Sequence, residues 1–148
     1  MRLMNTTAVV DYVLKSERDA DGNPVEGATV FKLRCLTATE SGAVADALVD
    51  FSGMGITRGD GDTASVSGMQ MSMSGRTKNR VRLGVCGWDN LHDANGDPVT
   101  FAQEDFKIGS RSFRGFSEAV YNALPQGVID ELHNKIMELS TLTANEGN

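Results

Sequence analysis

The sequence predicts an α+β domain, an N-terminal β-hairpin followed by a small helical bundle. Three observations carry this. The stretch "ATVFKLRCL" (28–36) alternates, with Val30, Lys32 and Arg34 on one side and Phe31, Leu33 and Cys35 on the other. That period of two belongs to a half-buried strand. Upstream, "TAVVDYVLKS" (7–16) mixes β-branched and aromatic residues with polar ones, and "ERDADGNPVEG" between the two strands supplies the Gly, Asn and Pro of a bend. Near the other end, Val128, Ile129, Leu132, Ile136 and Leu139 form one apolar stripe, with Asp130, Glu131, Asn134, Lys135 and Glu138 opposite, the mark of an amphipathic helix.

The remaining elements follow in order. After the hairpin, Thr37 with Glu40 three residues on fits a capping box, and Val44, Ala47, Leu48 and Phe51 recur at helical spacing, so a helix is expected at about 39–51, ended by Gly53 and Gly55. Residues 52–76, rich in Gly, Ser, Thr and Met, read as a flexible insert, its first half a loop. Met69, Met73, Val81 and Val85 sit four or eight apart and suggest a helix within 64–86, although "RVRLGV" alternates as a strand would. The stretch "GVCGWDNLHDANGDPVTF" (84–101) reads as a turn between two buried pieces, bending at Asn95-Gly96 and leaving through an extended Pro98–Phe101. Its core nearly repeats "DADGNPVEGATVF" (19–31). In "SFRGFSEAVYNAL" (112–124) Ser117 is a candidate N-cap, Pro125 fits the first turn of the next helix, and "TANEGN" should fray.

Length and composition bound the classes. The chain of 148 residues suits a single domain spanning 1–148. With a formal net charge of −6, its surface repels phosphate backbones, so nucleic acid is not an expected partner. The basic stretch "GRTKNRVR" (75–82) reads as a solvated helix face or loop. No run approaches a membrane span, and the early charges of the N-terminus do not resemble a signal peptide. Cys35 and Cys86 sit among apolar neighbours and read as small core residues.

Candidate chemistry fares poorly residue by residue. A calcium loop counted from Asp93 places oxygens at Asp93, Asn95, Asp97 and Glu104 but puts Pro98 where the sharp turn needs glycine. The copy at Asp19 has Val30 at its last ligand position, so an Asx- and Gly-rich bend accounts for both without an ion. Cys35, Cys86, His92 and His133 lack the short spacings of a zinc site. There is no G-x-S-x-G, P-loop or G-x-G-x-x-G. No catalytic, cofactor or metal residue is therefore assigned, and the expectation is a protein that is not an enzyme. The candidate partner-binding residues are Met69, Met71, Met73 and Trp88, since Met and Trp suit adaptable contact surfaces. For Trp88 the competing reading is a core plug.

The pieces "TVF-x-L-x-x-L-T-x-x-E" (29–40), "G-W-x-N-x-x-D-x-x-G-x-P-V-x-F" (87–101) and "L-P-x-x-V-I-x-E-L" (124–132) together resemble the tail assembly chaperone family of long-tailed bacteriophages. The resemblance spans most of the chain outside 52–74. It implies a non-enzymatic helper in the host cell cytoplasm during virion morphogenesis, one that binds the tape measure protein and recruits tail tube subunits. Family members often exist in a short form and a frameshifted longer one, and a chain ending "NEGN" would correspond to the short form. Self-association into a homo-oligomer is compatible with that role. Two rival readings are a permanent structural component of a phage tail or connector and, more weakly, a metal-binding protein or enzyme.

Overall fold

The alternation at 28–36 becomes the central strand of a three-stranded sheet in a computed structural model that describes residues 1, 3, 7–56 and 61–146, with side chains considered outside 48–56, 61–72 and 142–146. Strand β1 (Val10–Val13) pairs antiparallel with β2 (Val30–Leu33), setting Tyr12 opposite Phe31. The faces fall as the period of two requires: Phe31, Leu33 and Cys35 are 1%, 0% and 4% exposed, while Val30, Lys32 and Arg34 are half-buried. The α+β class and the N-terminal hairpin are thus present.

The far side of β2 is covered by β3 (Val85–Asp89), again antiparallel, with Trp88 opposite Phe31. The stretch 84–101 is therefore more than a turn, because its first part is a strand. Val85, Gly87 and Trp88 are all buried, and that mixture erases the alternation by which a strand is recognised.

The helices also differ from expectation in extent and arrangement. Helix α1 (Ala38–Ile56) begins on the capping box: Glu40 N donates to Thr37 Oγ1 at 3.2 Å and Thr37 N donates back to Glu40 Oε1 at 2.9 Å. It runs past Gly53 and Gly55, and α2 (Gly61–Gly84) follows. The 52–76 stretch, expected as a loop in its first half, is thus helical over 52–56 and 61–76, while 57–60 lie outside the described residues. The two helices pack chiefly on each other. Such tertiary pairing outweighs the roughly 1 kcal/mol that a mid-helix glycine costs.

A second hairpin was not anticipated. Strands β4 (Gln103–Ile108) and β5 (Arg111–Phe116) pair antiparallel, turning at Gly109 with φ +63°. The helices are therefore interrupted by strands rather than gathered in one bundle after the first hairpin. Helix α3 (Glu118–Ala123) starts where expected, Ser117 Oγ accepting from Val120 N at 3.2 Å. Helix α4 (Gln126–Glu146) then takes Pro125 O as its first acceptor, from Val128 N at 3.0 Å and Ile129 N at 3.1 Å. Its stripe is buried at Ile129, Leu132 and Ile136 and half-buried at Val128 and Leu139.

All layers meet in one core around Phe31, Leu33, Val44, Val81, Val85, Phe116, Leu132 and Ile136. Trp88, 8% exposed, packs edge-on to Phe101 at 4.8 Å and Phe116 at 5.5 Å. Its indole N–H, which burial obliges to find an acceptor, donates to Val99 O at 2.7 Å.

Among the described residues two charges enter this core, each tied on several sides. Glu40, 8% exposed, takes a bidentate fork from Arg34, NH1 to Oε1 at 2.8 Å and NH2 to Oε2 at 2.6 Å. Arg82, 3% exposed, donates from Nε to Phe116 O at 2.9 Å and from NH2 to Glu104 Oε1 at 2.7 Å. Its guanidinium also lies 4.0 Å from the centroid of the Phe106 ring. The same Glu104 oxygen accepts from Glu118 N at 2.8 Å, at the start of α3. One charge thus fixes the second hairpin to α2 and aims the next helix. Gly115 makes room for it, because a Cβ there would lie 2.6 Å from Arg82 O.

Three outcomes follow from this packing. Trp88→Ala is expected to cost roughly 3–5 kcal/mol in urea denaturation, the range for deleting a large core aromatic. Glu104→Ala should cost about 2 kcal/mol by the same measurement, since it strips a charged acceptor from a buried guanidinium and a helix-start amide. The control for that second outcome is Asp105→Ala, next to it but in an exposed pair with Arg114, which should stay within about 0.5 kcal/mol. The third concerns pH. Burial pushes the Glu40 carboxyl upward, but the Arg34 fork and the Thr37 amide outweigh it and leave its pKa below the ordinary carboxylate value. A depressed folded pKa contributes stability that is present above the unfolded value and is lost as pH falls through the folded one. Chemical denaturation at stepped pH should therefore show an acid-side loss below the ordinary carboxylate range, and Arg34→Gln should diminish that pH-dependent part.

Candidate functional site

The residues expected to bind a partner are not gathered in one place. Met73, on α2, is 60% exposed and available for contact, whereas the side chains of Met69 and Met71 lie outside the described residues. Trp88 takes the core alternative. Its ring is enclosed by Phe101 and Phe116, so as a direct contact residue it is corrected here: burial leaves little of it for a partner to touch.

What Trp88 does instead is hold a surface from behind. The sequence 93–99 repeats the grammar of 19–25, and the two form the same turn. Asp19 Oδ1 accepts from Asp21 N at 3.0 Å and Asn23 N at 2.9 Å. Asp93 Oδ1 accepts from Asn95 N at 2.8 Å and Asp97 N at 3.0 Å. Each turn contains a glycine at positive φ, Gly22 at +84° and Gly96 at +85°. Each closes beyond its proline, Val25 N on Glu17 O at 2.9 Å and Val99 N on Leu91 O at 2.8 Å. Each is a four-residue turn, closed by Gly22 N on Asp19 O and by Gly96 N on Asp93 O, both at 3.0 Å, with the glycine left-handed, and the Asp side chains are spent on its amides. In the second turn, Val99 has its N–H bound to Leu91 and its C=O bound to Trp88, so that wall is anchored at both polar groups.

Against this wall α3 leaves an apolar groove of about 330 Å³. Leu91 and Val99 line one side and Ala119, Val120, Ala123 and Leu124 the other, with His92 and Asp93 also at the groove. Ala119 and Ala123, four apart on α3 and exposed, are small enough to leave the space open. They were not singled out in the sequence. The available signal was a pair of alanines at helical spacing on the turn-facing side of a short capped helix.

A second, polar cleft of about 610 Å³ lies between β1 and α4. Tyr12 OH donates to Glu131 Oε1 at 2.7 Å, and Lys15 N donates to the same oxygen at 2.8 Å. Burial, then the hydrogen bond to Glu131, pushes the Tyr12 phenol up to about 12. A phenol moved that way is a poorer proton donor to a substrate than a free tyrosine. Here it ties the edge strand to α4, with Arg18 and Lys135 near its ring at 5.2 Å and 5.7 Å. Cys35 and Cys86 both remain thiols, and burial pushes the Cys86 thiol up, away from the thiolate that reacts. Among the described residues no helix is long and apolar enough to cross a membrane, and no three of His, Cys, Asp or Glu gather as metal ligands.

If the groove binds apolar side chains, Ala123→Glu should abolish that binding while chemical denaturation stays within about 0.5 kcal/mol, as for exposed substitutions. The check is a denaturation curve beside a pull-down. Compared with protein-family profiles, curated proteins and solved structures, the chain matches none.

Proposed function

We propose that this protein acts by binding other proteins, as a tail assembly chaperone of a long-tailed bacteriophage working in the host cytoplasm. The observation that carries the reading is the open apolar groove, about 330 Å³, between the second Asx turn and α3. Its walls come from 91–99 and 119–124, beside and within two of the three motifs that resemble the family. A preformed apolar slot with small residues on one side suits the apolar side chains of a long amphipathic helix, and the tape measure protein has that character. Exposed Met73 and Met137 add pliable surface. The net charge of −6 keeps such a complex soluble. Recruitment of tail tube subunits belongs to the same proposal and rests on the resemblance.

The buried Glu40 and Arg82 and the half-buried Tyr12 are each partnered within the fold, Glu40 by Arg34, Arg82 by Glu104 and the Phe116 carbonyl, and Tyr12 by Glu131.

Co-expression with a tape measure protein is the test. The tape measure should become soluble and co-purify with this chain, and Ala123→Glu should return it to the insoluble fraction. A tape measure equally insoluble with or without this protein would overturn the reading. Mass spectrometry of purified virions separates the permanent structural role, since a chaperone is absent from finished particles and a tail or connector component is abundant there.

A further inference from the structure

The basic stretch 75–82 divides into two faces with opposite fates. Lys78 pairs with Glu118, and Arg82 pairs with Glu104. Arg76 and Arg80 lie four residues apart and therefore share the other face of α2. That face looks onto α4, where Arg80 NH1 lies 3.1 Å from His133 Nε2. Among the described residues neither Arg76 nor Arg80 has a carboxylate partner, and Arg76 Nε is buried with no hydrogen-bond partner at all. Both arginines and His133 are half-buried.

Such a cluster is costly in a protein that otherwise matches its buried charges. Burial, and then the neighbouring Arg76, lower the pKa of Arg80, with no acid among the described residues acting in the other direction. Burial and Arg80 likewise lower that of His133, against smaller opposing effects from Asn134 and Asp130. Two cations stand beside a histidine whose protonation they disfavour, and among the described residues neither cation is paired with a carboxylate. A buried guanidinium donor without an acceptor is the kind of group that a ligand resolves.

We infer that Arg76, Arg80 and His133 form a receptor for a carboxylate group of a protein partner, an Asp or Glu side chain set between α2 and α4. A carboxylate matches the planar guanidinium fork in two-point fashion. Polyphosphate backbones fit poorly, because Asp130, Glu131 and Glu138 on α4 and the overall charge of −6 repel a long polyanion while leaving a single carboxylate accommodated. On binding, the long Arg76 side chain can rotate to bring its orphaned donor to the incoming oxygen. This inference takes from the proposed function only that the anion arrives on a protein, and a synthetic peptide tests it without any tape measure protein, so the two can fail separately.

The experiment titrates the full chain with a short glutamate–alanine peptide and, in a parallel arm, with inorganic phosphate, following the His133 imidazole resonances by NMR. The peptide should shift these resonances and raise the His133 titration midpoint, as an added negative neighbour must. Arg76→Gln and Arg80→Gln should each weaken binding about tenfold, the loss of a charged hydrogen bond, and Arg80→Lys should recover only part of it. Trp88 fluorescence reports that each variant is folded, and Arg80→Lys carries the test if a glutamine variant is not. Unchanged His133 resonances with the peptide, or equal binding by the folded variants, would overturn the inference. Tighter binding of phosphate than of peptide would overturn its assignment to a protein carboxylate.

Discussion

The guanidinium of Arg82 sits where α2 gives way to β3, and the second half of the molecule is oriented by what it touches. Removing an arginine head group from water costs several kcal/mol unless its donors are met. Here Nε is met by the Phe116 carbonyl and NH2 by Glu104, and the cation lies against the Phe106 ring. Glu104 is half-exposed on its side chain, at 47%, so the pair has one dry member and one wet one, which lessens the desolvation cost while keeping the geometry. Because Glu104 also receives the Glu118 amide, a single buried charge links α2, β4, β5 and α3. The close approach of β5 to the Arg82 carbonyl is what confines position 115 to glycine.

A division of labour along α2 follows. Its last turn is built into the core through Val81 and Leu83, both almost fully buried. Lys78 and Arg82 are committed to carboxylates of the second hairpin and α3, while Arg76 and Arg80 turn to α4. The buried Glu40 and Arg82 are devoted to holding the fold together, whereas Arg76 Nε is buried without a hydrogen-bond partner. Outside these ties lie the apolar groove between the second Asx turn and α3 and the polar cleft between β1 and α4.

Much of the first hairpin and of the helix caps was legible in the sequence, and the reasons are local. Phe31, Leu33 and Cys35 alternate cleanly because one face of β2 is buried. Thr37 with Glu40, and Ser117, announce helix starts through hydrogen bonds made within one turn. The α4 stripe was visible because a single face packs inward. The second hairpin was not legible. Phe113 and Phe116 stand three apart, a helical spacing, and the charged Glu104, Asp105, Lys107, Arg111 and Arg114 conceal the alternation of Phe106 and Ile108. The continuation of α1 through Gly53 and Gly55 depends on its pairing with α2, which no local rule reports. Trp88 was ambiguous for a related reason: a tryptophan beside a turn suits core and contact alike, and only the rings of Phe101 and Phe116 decide between them. The groove arises between distant segments, so the helical spacing of its two alanines gains meaning only once the second turn lies against α3.

The two Asx turns have a consequence for how this domain can vary. β1 and β3 both run antiparallel to β2, so the turns that follow them emerge from the same end of the sheet. At their base Thr29 Oγ1 donates to Asn90 O at 3.1 Å and Asn90 Nδ2 to Ala28 O at 3.3 Å, stitching one loop to the other. Each apex satisfies its own amides from within seven residues, independent of the strands below. The two caps are in effect modular: one could be transplanted onto the other's stem without disturbing the sheet. What that end of the molecule displays is therefore set by the tips, while the strands and the Trp88–Val99 bond hold the stems.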